Sequence, residues 1–325
     1  MADYLHNSIP GLRYGQKILP SEIIGYDGYI FGNTYYVDAT NGNDNNPGTT
    51  PDKAFATVAK ANDAMITNNN DVVYLSGYAT HTLTEMLDVS KNRVHFIGAD
   101  FDGRRYGQAV KISLGATTAA TDIATMQNTG IRNSFMNIKF INSNTVDEGI
   151  YCVADGGEYS VYRNCEIYKS TDLDVTGASE FLCNADSIQM FNCTIGSLAD
   201  ALNGDIIHAN MLLTRVLSGK VTRDAYLEDV HFWRKASHKN NRMVYAAASA
   251  DLERGMIMMR PIFNNAVLAV ADPDQAIAAG ANLVDGHIVA YYPGSSNVTK
   301  ISTTTGVFVV GPANNAGAGL ATQAA

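Results

Sequence analysis

The chain has 325 residues, 46% of them hydrophobic, which allows two ordinary domains or one large elongated one and rules out wholesale disorder. Lys plus Arg number 23 against 32 Asp plus Glu, and the formal charge of −9 leaves no basic excess to neutralise the phosphates of a nucleic acid. No stretch approaches the ~20 uninterrupted apolar residues of a membrane span.

Residues 1–34 carry Ile9, Leu12, Ile18, Leu19, Ile23, Ile24, Ile30 and Phe31, too many apolar side chains for a solvated tail. Pro10, Pro20 and several glycines interrupt them, so the segment reads as an extended arm rather than a domain. Such an arm lies either back on its own chain or across a neighbouring subunit. Its first residues lack the basic start and apolar core of a signal peptide, so the expected route is synthesis in a cytoplasm and exit by lysis or assembly.

From 35 to 65 the character changes twice. Tyr35, Tyr36 and Val37 read as a strand; a polar, turn-rich loop follows around Pro47; Phe55, Val58 and Ala59 are then spaced like one face of a short helix. Asp38, Asn41 and Asp44 superficially resemble a calcium loop, but the bidentate Glu that closes one is missing, and they read as turn formers.

Residues 66–235 are filled with short strand-like runs between polar turns, beginning with Val72–Leu75 and Val94–Ile97. Three segments, FMNIKFINS, YRNCEIYKS and MFNCTIGS, align without gaps on Asn137, Asn164 and Asn192, at steps of 27 and 28 residues. Each Asn is followed by apolar, polar, apolar. A looser copy has Asp229 at the Asn position with Val230 and Phe232 after it. Val94 and Phe96 suggest an earlier copy, and MMRPIFN near Met258 a degenerate later one.

A repeat of this length with several short strands and no helix suits one coil of a parallel β-helix. Equivalent inward positions then stack into columns. Cys165 over Cys193 is one such column, and Asn137, Asn164 and Asn192 form another at a bend, where Asn tolerates left-handed dihedrals and its amide can bond the next amide along. The four cysteines, Cys152, Cys165, Cys183 and Cys193, form no CxxC pair and have no His at zinc spacing, so they read as buried, reduced thiols. The strand and helix of 35–65 make sense as a cap, because the first coil of a solenoid otherwise exposes unpaired backbone and an open core.

From 236 the composition shifts to a mixed C-terminal assembly region, 236–325. VYAAASADLERGMIMM and DPDQAIAAGANLV look helical, with Asp272 or Asp274 able to cap the second. Two or three strands follow, with a turn at Pro293 and Gly294, and the last residues form a small-residue, flexible tail.

The order YYV, then Gly42, Asp44, Pro47, Gly48 and Thr49 in the loop, then Phe55, Thr57 and an Ala-rich helix, then a strand ending near Gly77, resembles the amino-terminal capping region of pectate-lyase-like right-handed β-helix proteins. The likeness covers about residues 35–100, and the repeats carry it to 235. It implies an all-β, right-handed parallel β-helix with a capping helix. It fixes function poorly, because this group includes polysaccharide lyases, glycoside hydrolases, adhesins and bacteriophage head or tail proteins.

For the enzymes, the resemblance implies clustered carboxylates holding calcium with an Arg or Lys base, or paired acids at acid/base separation. The residues to weigh are Asp147 and Glu148, Asp155 and Glu158, Asp172 and Asp174, with Arg163 and Lys169. All read as turns or solvated surface, so no catalytic, cofactor or metal residue is assigned. Arg234, Lys235, Lys239 and Arg242 read as a solvated basic face, and Trp233 with Phe232 as packing rather than a sugar platform. The residues singled out are structural: Asn137, Asn164, Asn192, Cys165 and Cys193. The expected role is a bacteriophage virion protein without a cofactor, a capsid decoration or head appendage. It would be trimeric, contacting the major capsid protein, with a surface glycan as a further candidate partner. The alternative is a carbohydrate-active enzyme, a polysaccharide lyase or tailspike depolymerase.

Overall fold

The computed structural model describes residues 32–99, 110–115, 123–143, 150–169, 177–196, 201–202, 208–215, 220–236, 241–265, 275–296, 298 and 300–311. They wind into a parallel β-solenoid with three sheets, of ten, nine and seven strands, called here the first, second and third. Each coil adds one short strand to each sheet in turn, and successive coils pair in register.

The sequence dictates this through alternation. Strands bury every second side chain, and register stacks those side chains into columns. In the first sheet the inward column runs Val73, Phe96, Phe135, Tyr162, Met190, Leu227, Met258, Ala290 and Val309. Its rings stack face to face, Phe96 on Phe135 at 5.6 Å and Phe135 on Tyr162 at 5.0 Å between centroids. The second sheet answers with Ile112, Phe140, Ile167, Ile195, Phe232 and Phe263, and the third with Met126, Val153, Phe181, Met211 and Val244. One continuous core results, each fully buried side chain contributing about 1.5–3 kcal/mol.

The amino-terminal end is closed. Thr34–Val37 pairs with Asp71–Leu75 as the edge strand of the first sheet, and the helix Val58–Ala64 buries Val58 and Ala61 against the first coil. Asp44 fixes the helix start, its carboxylate accepting from the Ala56 and Thr57 amides (2.8 and 2.9 Å) and the Thr57 hydroxyl (2.9 Å). The Thr57 hydroxyl in turn accepts from the Lys60 amide at 3.2 Å, an N-cap. Gly48 has φ +71, and a Cβ there would stand 2.2 Å from the Phe55 ring, so the loop closes over Phe55 only with glycine.

Several sequence expectations need correction. Coils do not stop at 235: Asn241–Ala246, Leu252–Met259, Ile262–Asn265, Ile277–Ala279, Ile288–Tyr291, Gly294–Ser296 and Val307–Val310 continue all three sheets. The stretches that look helical are strands, because Met256 and Met258 point inward while Ile257 and Met259 point outward; Asp272 and Asp274 lie outside the described residues. The strand Val94–Gly98 pairs with Ser134–Met136, so Val94 and Phe96 precede the Asn corner instead of following it.

All four cysteines are buried and free. Cys165 and Cys193 hold adjacent positions, with sulfurs donating to the Phe135 and Phe191 carbonyls at 3.3 and 3.4 Å. Burial pushes the Cys183 thiol up to about 12 and raises the Cys152 and Cys165 thiols as well. Native protein at neutral pH should therefore resist a thiol reagent, and four thiols should titrate after denaturation without reductant. A loss of two would show a disulfide.

Candidate functional surface

Inward side chains are packed, so chemistry on a solenoid belongs on an outer face. The first sheet offers two outward columns. One runs Val72, His95, Ser134, Val161, Gln189, Tyr226, Ile257, Val289 and Phe308; the other runs Tyr74, Ile97, Met136, Arg163, Phe191, Glu228, Met259, Tyr291 and Val310. Most are apolar or aromatic. Towards the amino end they are buried, Ile97 at 2% and Met136 at 0% exposed, whereas Ile257, Phe308 and Val310 are 41%, 37% and 40% exposed.

Two groups on this face have chemical potential. The His95 ring nitrogen Nδ1 lies 2.7 Å from the Ser134 hydroxyl oxygen, a base beside a nucleophile. Burial lowers the His95 pKa to about 4 against the opposing charge of Asp71, so the ring is neutral at pH 7. Asp71 does not complete a triad: its oxygens accept from the amides of Asn33 and Ile66 and from Asn69 Nδ2. With Ser134 at 2% exposure, the pair is walled off from substrate. The second group is Arg163, whose guanidinium lies 4.3 Å from the Phe191 ring centroid, with the Tyr226 ring 5.9 Å beyond. Burial lowers the Arg163 pKa, with Cys193 and Glu228 opposing the shift.

Left-handed residues line both borders of the face. Arg93, Arg132, Tyr159, Ser187, Asp224 and Arg254 form one; Asn137, Asn164, Asn192, Asp229, Arg260 and Tyr292 form the other. On the second border Asn164 Nδ2 donates to Asn137 Oδ1 at 3.0 Å and Asn192 Nδ2 to Asn164 Oδ1 at 2.5 Å, a side-chain ladder along the stack. Charges replace amides further along. Arg260 donates to Asp229 at 2.9 Å and to Glu228 at 2.7 Å, and on the opposite border Arg254 meets Asp224 at 2.9 Å. Glu158, one of the weighed acids, pairs with Lys220 at 2.9 Å. Each exposed pair contributes only about 0–1 kcal/mol, and together they tie the charges of the later coils into ion pairs along the borders.

The other weighed residues fall elsewhere. Asp155 is not a solvated turn residue. It points into the solenoid, accepting from the Gly157 amide (2.8 Å), Asn128 Nδ2 (3.0 Å), the Ser160 hydroxyl (3.2 Å) and the Tyr162 hydroxyl (2.8 Å). Its pKa is raised, chiefly by desolvation, against the lowering effect of those bonds. Lys169 and Arg234 are likewise buried rather than solvated, sharing strand parity with the core residues Ile167 and Phe232. Glu180 stands at the register position of Cys152 and accepts from Asn210 Nδ2 at 3.3 Å, so a polar cluster sits inside the barrel. Phe232 is core, stacked on Phe263 at 5.3 Å. Asp147, Glu148, Asp172, Asp174 and Lys239 lie outside the described residues. Among the described residues no group of three His, Cys, Asp or Glu gathers to hold a metal. Sequence reasoning missed the open strip at Ile257, Phe308 and Val310; the alternations MIM and VFVV carried its signal.

No protein-family model and no curated protein sequence matches the chain. Among solved structures, pectate lyase Pel9A superposes with a TM-score of 0.61 at 12% identity, over 85% of this chain and 67% of that one. Pectin methylesterase PemA from Erwinia chrysanthemi gives 0.46 at 11% identity, over 84% and 92%. The Dettilon tailspike protein gives 0.44 at 14% identity, over 96% and 59%. At such identities a likeness speaks of architecture and not of activity. The chain has the parallel β-helix fold of the pectate-lyase-like proteins.

Proposed function

We propose that this chain is a structural protein of a bacteriophage particle, a capsid decoration or head appendage that works through subunit contacts as a trimer. The observation that carries the reading is the outer face of the ten-stranded sheet. Where a solenoid enzyme would present paired acids, this face presents Tyr226, Ile257, Met259, Tyr291, Phe308 and Val310 between borders that carry ion pairs, Arg254 with Asp224 and Arg260 with Asp229. An apolar centre with a polar rim is the anatomy of a protein contact. The phage setting rests on the resemblance of the capping region, and the apolar arm of residues 1–34 supports assembly. Mass spectrometry of purified particles should find the chain in stoichiometric amount, and its absence would overturn the reading.

A second reading has one observation in its favour. Arg163 on Phe191, with Tyr226 beyond, is a cation on an aromatic platform, suited to an acidic glycan. As a lyase, the protein would raise unsaturated-product absorbance from an acidic polysaccharide in the presence of calcium. The structural reading expects no rise.

A further inference from the structure

We propose that the buried polar cluster between the second and third sheets is a self-modification site, where the Lys169 amine and the Asn142 carboxamide join in an amide cross-link and Glu180 carries the proton.

Register builds the site. Glu166–Lys169 pairs with Lys139–Asn142 so that Lys169 stands beside Asn142, about 4.8 Å away at the usual strand spacing. Strand parity turns both inward, with Ile167 and Phe140, and they are 4% and 0% exposed. Glu180, 5% exposed, sits on Ser179–Cys183, the next strand of the same coil, which packs against Glu166–Lys169 across the corner. The residues in its place one coil before and two coils after, Cys152 and Met243, belong to the core. The Cys152 thiol senses the whole cluster. After desolvation, its acidity responds to the Tyr168 backbone, Glu180, Lys169 and the Asn142 backbone, in that order.

An amine, a carboxamide and a carboxyl group shut away from water are what amide exchange needs. Nζ attacks only as the neutral amine. A dry interior disfavours charge, so the Lys169 ammonium can give one proton to the Glu180 carboxylate. Nζ then adds to Asn142 Cγ while Glu180 protonates Oδ1. As the carbonyl re-forms, Glu180 relays a proton from Nζ to Nδ2, the Cγ–Nδ2 bond breaks and ammonia leaves. Amine plus carboxamide gives amide plus ammonia, with no oxidant or reductant.

Register holds the reactants together, in place of the high concentration that a free amine would require. Asn142 Nδ2 donates to the Tyr151 carbonyl, which fixes the plane of the carboxamide. Asn210, the carboxamide on the far side, lies beside Glu180 instead. Its Nδ2 is held by Glu180 Oε2 at 3.3 Å and the Trp233 carbonyl at 3.0 Å.

Mass spectrometry of the purified full-length chain, denatured, should read about 17 Da below the mass of its sequence, the loss of one ammonia. A tryptic map should show residues 140–163 joined to 164–215 through Asn142 and Lys169, uncut after Lys169. Lys169→Arg and Glu180→Gln should each restore the full mass and the separate peptides, with the far-UV circular dichroism of wild type. Glu180→Asp, which keeps the acid, should retain part of the bridge. The wild-type reading needs no variant to fold. A wild type at full mass, a loss confined to one peptide as in a succinimide, a bridge to Asn210, or a loss that persists in Lys169→Arg would each overturn the proposal. Persistence in Glu180→Gln would overturn Glu180 as the proton carrier.

Discussion

Asp155→Ala should lower the stability of the solenoid by about 3 kcal/mol, read as a fall in the urea midpoint. The carboxylate is fully buried and answers four donors: the Gly157 amide, Asn128 Nδ2 and the hydroxyls of Ser160 and Tyr162. Stranding a buried donor costs about 1–3 kcal/mol, and the relief of no longer desolvating a carboxylate offsets part of the total. Asp155→Asn should cost much less. Its carbonyl oxygen can replace Oδ1 for three donors, and its amide can donate to the Tyr162 oxygen once that hydroxyl turns. The two variants also separate the effect of charge. The folded pKa of Asp155 is raised above 3.8, mainly by desolvation, so between those values the folded state binds more protons than the unfolded one. Its contribution is then fullest in acid and is lost as pH rises through the folded pKa. The margin of wild type over Asp155→Asn should accordingly shrink from acid towards neutral pH. A margin that grows would reverse the assignment.

Asn164→Leu is the second large effect, again about 3 kcal/mol. Two causes add. Asn164 has φ +52, a conformation that costs an ordinary side chain about 1–2 kcal/mol. It is also the middle rung of the ladder, donating to Asn137 and accepting from Asn192, and each lost bond removes about 1 kcal/mol. Asn164→Gly tolerates the dihedral and loses only the rungs, so it should fall roughly half as far. Equal midpoints for the two variants would mean that strain plays no part; a Leu variant matching wild type would dispose of the ladder's importance altogether.

These asparagines were legible in the sequence because a sharp corner leaves few choices. A left-handed residue in a stack favours Asn, and the repetition at near-equal steps made the corner visible. Asp229 still hints at it. Arg260 and Tyr292 occupy the same corner and do not, because paired backbone can hold that dihedral without a favoured side chain. The later coils were obscured for a different reason: Ala and Met serve helices well, and only the neighbouring coil's register makes them strands. Lys169 and Arg234 were misplaced because the direction of a charged side chain depends on strand parity, and parity is fixed by pairing with residues a coil away. Composition predicts surface for them; register puts them inside.

The closed amino end also bears on how the chain acquires its structure. Residues 34–65 precede every coil, so during synthesis the closed end can form as soon as the first coil is made. Each new coil then finds a complete template one coil behind it, and most pairings span only some 20–40 residues. Growth in a single direction, by short loop closures, avoids the slow search that distant strand pairing imposes on other all-β chains. The same polarity leaves the growing edge open while the cap strand is already paired on its outer side, Tyr36 with Gly48 and Phe55 and Asp38 with Phe55, so two nascent molecules meeting cap to edge find less to join.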